Sequence, residues 1–186
     1  MKKILFVALA TTALFITKAN AQKDDKPFSF GFGIEAGPLV GDKDFKHTFG
    51  GEFGMSLRFS VKAGPGYVTF TPGGMLVFPK SVNTDDEEIK IGTHVPLKLG
   101  YKYIIGKFFV MGEAGYSRYV LYTVNEESES IDDVEKLKGG GFTYAPSIGL
   151  NLGKFELGLR YESTLAKFEG VKIRPSLLGL RAGFNF

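Results

Sequence analysis

The 186-residue chain has no cysteine, no tryptophan and only two histidines. Without cysteine there is no disulfide, no thiolate-bound zinc, no iron–sulfur cluster, no thiol nucleophile and no residue for an N-terminal lipid. A dominant charge is missing as well, with 23 Lys and Arg against 20 Asp and Glu. Helical periodicity is missing beyond Gln22, where no window repeats apolar residues at i, i+3, i+4 and i+7. Coiled coil, collagen and disorder are excluded by composition. What the chain does have is glycine (25 residues, about twice the usual share) and aromatics, with 18 Phe and 8 Tyr.

The first 21 residues read as a cleaved signal peptide rather than as part of the fold. Lys2 and Lys3 precede an apolar run from Ile4 to Thr17, and Ala19-Asn20-Ala21 supplies the small residues of a cleavage site before Gln22. The run has 14 residues, short of the roughly 20 a membrane-spanning helix needs. Removing residues 1–21 takes away Lys2, Lys3 and Lys18 and no acid, so the domain at 22–186 carries no net formal charge. No nucleic-acid partner is expected, because its phosphate contacts need a basic excess or a basic patch, and the balance of charge removes the main electrostatic motive. Export also places the chain outside the cytoplasm.

From Phe28 to Phe186 the pattern has period two. Phe28, Phe30, Phe32 and Ile34 alternate with Ser29, Gly31, Gly33 and Glu35. Similar alternation runs through Glu52–Phe59, Ile89–Tyr103, Phe142–Asn151, Lys154–Tyr161 and Leu178–Phe186. Tyr67–Phe78 is interrupted by Pro72-Gly73-Gly74, where a bulge or bend is expected. Lys107–Tyr122 is apolar on both faces near its start, and a register with Glu113 and Ser117 inward is the working choice. Eight strands result. The connections alternate in length: Gly37–Thr48, Pro79–Glu88, Val124–Gly140 and Glu162–Lys172 are long, the others short. The reading is an all-β, eight-stranded, antiparallel, up-and-down transmembrane barrel of the outer membrane. A soluble barrel or sandwich is the alternative.

Aromatics gather near the strand ends, with Phe28, Phe59, Tyr103, Phe155 and Phe186 at one level and Phe78, Tyr119, Phe142 and Tyr161 at the other. Two such girdles suit a lipid interface. The alternating end Leu178, Leu180, Phe184 and Phe186 has the form of a signal for the barrel-assembly machinery, which together with outer-membrane lipid and lipopolysaccharide is an expected partner. A monomer is expected.

The segment Thr93–Tyr103 (THVPLKLGYKY), followed by Phe108–Val120 (FFVMGEAGYSRYV), resembles the outer-membrane β-barrel family that includes PorT-like proteins. That family shows a strand of the form hydrophobic-x-(I/V)-P-L-x-L-x-Y and then a glycine-studded one. Thr69–Phe78 (TFTPGGMLVF) is similar to the strand before them, and the resemblance covers about residues 25–186. It implies a scaffold, with no catalytic motif. The family's frequent acid beside the strand proline is absent, since His94-Val95 precedes Pro96.

Few constellations carry chemistry. Gly31–Gly37 (GFGIEAG) lacks the G-x-G-x-x-G spacing, so no cofactor is expected. Asp85–Glu88 and the acids from Glu126 to Glu135 lack calcium-loop spacing and read as solvated loops, with divalent bridging to lipopolysaccharide or a basic partner as the alternative. His47, near Asp42, Asp44 and Thr48, would be the centre of a lipid-modifying enzyme, although no catalytic motif surrounds it. His94 has lumen parity and is expected to bond Glu113 or a neighbour. The informative set is charged: Glu35, Glu52, Glu113 and Glu156 share the inner face with Arg58, Lys98, Lys102, Arg160 and Arg181. Pairing of these groups would plug the lumen, and a narrow channel or transport accessory is the alternative.

Overall fold

The computed structural model describes residues 26–80, 88–125 and 135–186. The expected signal peptide and most of the two acidic loops lie outside the described residues. The elements are β1 (Phe28–Gly41), α1 (Lys43–Thr48), β2 (Phe49–Ala63), β3 (Gly66–Pro79), β4 (Glu88–Ile105), β5 (Phe108–Asn125), β6 (Glu135–Leu152), β7 (Phe155–Phe168), β8 (Val171–Ile173) and β9 (Pro175–Asn185). Successive strands from β1 to β7 pair antiparallel; β7 then pairs with β9 and β9 with β1. Eight strands thereby close into a barrel. The short β8 continues the register of β9 along β7, from which Arg174 separates it.

The register fixes the tilt. A row of hydrogen-bonded partners starting at Phe109 passes through Gly149, Gly158, Arg181, Glu35, Gly54, Met75 and His94. It returns to β5 at Tyr119, ten residues further along. That shear in an eight-stranded barrel corresponds to strands tilted by about 40°. The bore is then just wide enough for side chains, and glycines in the row make room for large neighbours. A Cβ on Gly149 would stand 2.5 Å from the Phe109 ring.

The faces are sorted opposite to those of a typical soluble domain. More than thirty large apolar or aromatic side chains are exposed on the outside, among them Leu99, Val110, Ile148, Leu157 and Leu180. The charged groups lie inside. Water would face an apolar belt far larger than the few hundred Å² that soluble monomers show; hydrocarbon is the solvent this surface fits. Along β7 the belt runs from Phe155 to Leu165, about 25 Å at ~3.3 Å per residue and this tilt.

Three connections at one end are two-residue turns, with Gly64, Gly106 and Gly153 at positive φ (59°, 62° and 70°) in the first position. That sign is what a II′ hairpin turn asks of its first central residue. At the other end the structure corrects the sequence reading. Glu162–Lys172 is no long loop, because β7 runs to Phe168 and turns on Glu169 and Gly170 alone, both at positive φ. No register shift marks Pro72-Gly73-Gly74; β3 keeps one register with β2 from Gly51 to Ala63, and the shift falls at Phe49/Gly51. Gly73 instead makes room for a ring, since a Cβ there would lie 3.1 Å from Pro96 on β4. The six-residue α1 was not visible as periodicity because it is under two turns long. Tyr119 does not belong to the outer girdle: period two from Glu113 turns it inward, and it is 2% exposed.

Candidate functional site

The lumen is where the sequence concentrates its cost. Glu35, Glu52, Arg58, His94, Lys98, Lys102, Glu113, Glu156, Arg160, Glu162 and Arg181 are all buried inside it. Among the described residues this makes five carboxylates and five Lys or Arg, plus His94. An unpaired ion in such a place costs several kcal/mol, so the arrangement of partners decides whether the barrel is stable.

Nearest the short turns, Glu156 on β7 is the shared acceptor of Arg58 on β2, Lys102 on β4 and Arg181 on β9; the Arg181 Nη1 contact is 3.0 Å. Lys102 Nζ also donates to Asn151 Oδ1 at 3.0 Å and sits 4.5 Å from the centre of the Phe109 ring. At mid-height Arg160 spans the bore. Its Nη1 meets Glu35 Oε2 at 2.5 Å and its Nη2 meets Glu113 Oε2 at 2.9 Å. Glu35 accepts further from Ser56, and Glu113 from Thr71 Oγ1 at 2.6 Å. Higher still, Lys98 pairs with Glu162, and His94 Nδ1 lies 2.8 Å from Glu52 Oε2.

All nine lumen residues expected from the sequence are brought into this network. One further member, Glu162, joins them. Glu162 falls in a stretch expected as a connection, although its parity with Glu156 and Arg160 continues along β7. Of the partners expected for His94, Glu113 or a neighbour, the structure gives Glu52, because β4 and β5 place Tyr119, not Glu113, opposite it. The two rings stack at 4.1 Å, inclined by 6°.

Above His94 and Tyr119 the bore turns apolar. α1 drops Phe45 into the mouth, 6% exposed, against Phe49, Phe168 and Tyr119, with Leu39, Val77 and Ala166 completing the cap. A void of about 10 Å³ beside Arg160 and Phe109 has room for one water at most. His47 lies exposed on the last turn of α1. At the short-turn end, outward rings form a continuous row of T-shaped, stacked and tilted contacts from Phe155 through Phe184, Phe186, Phe30 and Phe59 to Phe70, at centroid distances of 5.0 to 6.2 Å. They cross the seam at which β9 closes on β1.

Known structures share this architecture. The attachment invasion locus protein Ail of Yersinia pestis superposes with a TM-score of 0.57 at 14% identity, covering 86% of this chain and 97% of its own. Neisserial surface protein A gives 0.56 at 14%, covering 87% and 98%. The N-terminal β-barrel domain of Pseudomonas aeruginosa OprF gives 0.56 at 15%, covering 84% and 97%. The fold is that of the small outer-membrane barrels. No family model matches the chain, and no curated protein sequence does. At these identities the likeness carries the fold alone.

Proposed function

We propose that this protein is an integral outer-membrane barrel with a sealed lumen, acting as a structural or recognition element through its outer connections, without catalysis. The observation that carries the reading is the closed bore: three tiers of buried ion pairs beneath a cap centred on Phe45. Ions would have to displace paired charges to pass, so conduction is the weaker alternative. In this reading residues 1–21 are the removed export signal, the short turns face the periplasm, and the α1 end faces outside. Leu178, Leu180, Phe184 and Phe186 form the assembly signal, and the PorT-like grouping is the finer family assignment.

The name of the Yersinia relative speaks of attachment and invasion; here an analogous contact role belongs to the outer connections. The test is location together with form. Outer-membrane fractionation and a gel shift between unboiled and boiled protein are expected. A soluble periplasmic protein with identical mobilities contradicts the reading. A lipid A profile altered by His47→Ala supports the enzyme instead.

A further inference from the structure

The outward surface carries a basic cluster that the sealed lumen does not use. β7 and β8 set Lys167 directly opposite Lys172, and like charges at one cross-strand position destabilise a sheet. Arg174 stands two residues beyond Lys172, on the same side by period two. Its guanidinium is anchored: Nε donates to Ser163 Oγ at 3.1 Å and Nη2 to the Tyr144 hydroxyl. Ser163 is itself fully buried and receives a second bond, 2.9 Å, from Ser176. Among the described residues no hydrogen bond engages Nη1. The hydrogen-bonded row through Lys172 and Lys167 continues to Gly140 and Arg118, and Lys138 lies two residues from Gly140. All five cations are exposed. Between Leu165 and Arg174 the single acid is Glu169, in the turn.

Height decides what these cations meet. Lys167 is twelve residues beyond Phe155 on β7, and Arg118 is ten beyond Phe108 on β5. At ~3.3 Å per residue and a tilt of about 40°, they stand about 25–30 Å above the ring of aromatics at the short-turn end. That is the far edge of the apolar belt, where headgroups begin. Lys stems can lie along the belt while their ammonium groups reach the polar zone. A dianionic phosphate held by the facing lysines, with Arg174 beside them, would offset the repulsion the register imposes.

We propose that Lys167, Lys172 and Arg174, flanked by Arg118 and Lys138, bind the phosphate groups of an outer-leaflet glycolipid of the lipopolysaccharide type. The proposal rests on the outer-membrane reading. The test uses the full mature chain folded in non-ionic detergent, with folding confirmed by gel shift before boiling. It is titrated with phosphorylated lipid A, with the same lipid A after dephosphorylation, and with inorganic phosphate. Phosphorylated lipid A is expected to bind and raise the thermal midpoint, and the other two to leave it unchanged.

K167Q/K172Q should bind phosphorylated lipid A about thirtyfold more weakly, at about fivefold per surface cation. In detergent alone it should melt at the wild-type temperature or above, because the cross-strand repulsion is gone. If the double variant does not fold, K172Q alone should show a loss of about fivefold. Equal binding of both lipid forms, equal tightness for inorganic phosphate, or unweakened binding by the lysine variants overturns the site. A folded barrel that binds neither lipid overturns the site and leaves the outer-membrane reading standing; a chain with no gel shift overturns that reading itself.

Discussion

Arg160 on β7 and Glu35 on β1, 125 residues apart in sequence, meet inside the barrel with Nη1 2.5 Å from Oε2. The same guanidinium holds Glu113 on β5, so one side chain ties three strands across the bore. Removing it strands two carboxylates at once. Breaking a buried pair costs about 3–5 kcal/mol, and Arg160→Met should lower unfolding stability in urea by at least that much. Lys136→Met, on the exposed rim, should change it little. Equal midpoints for the two variants would mean that the lumen is hydrated.

The tiers should not respond equally. Glu156 faces three cations, whereas Glu52 is met by His94. Glu156→Gln should therefore destabilise the barrel more than Glu52→Gln, by about 2 kcal/mol or more, since it leaves excess positive charge buried. Urea titrations of the two variants under identical detergent conditions give the comparison. The reverse order would refute the tiered description.

Phe45 should matter as packing rather than as chemistry. Phe→Ala in a packed core costs about 3–5 kcal/mol, and Phe45→Ala should fall near the lower bound because α1 can settle inward. Thermal unfolding monitored by circular dichroism measures this. His47→Ala, two residues away and exposed, should leave the midpoint unchanged.

At the seam, Phe186 packs on Phe184 at 5.0 Å and on Phe30 at 6.1 Å. Truncating Phe184–Phe186 should reduce outer-membrane yield several-fold and leave protein in the periplasm, as read by fractionation and immunoblotting. Undiminished yield would remove the assembly role assigned to this end.

Period two was enough to read the strands, their inner faces and the nine charges, because one buried and one lipid-facing side leave the alternation nearly unbroken. It did not show who pairs with whom. That depends on a shear of ten residues around a closed ring, a property of the whole register, so the choice of Glu52 over Glu113 as the partner of His94 lies beyond the alternation. Glu162 is not apparent because the polar run Glu162-Ser163-Thr164 resembles a loop; Ser163 is buried on an outward face beside its cross-strand partners Tyr144 and Ser176 and bonded by Arg174. The Phe45 cap was hidden in a helix too short to show a period. Pro72-Gly73-Gly74 suggested a bulge, but a glycine opposite Pro96 provides the space without a shift of register.

The central claim is that paired charges and the Phe45 cap close the bore. Single-channel recording of the purified wild-type barrel in a planar bilayer tests it most directly, with Arg160→Met alongside. The account predicts no resolvable conductance for wild type at ordinary voltages and salt. Steady, ohmic wild-type conductance that Arg160→Met leaves unchanged would contradict it.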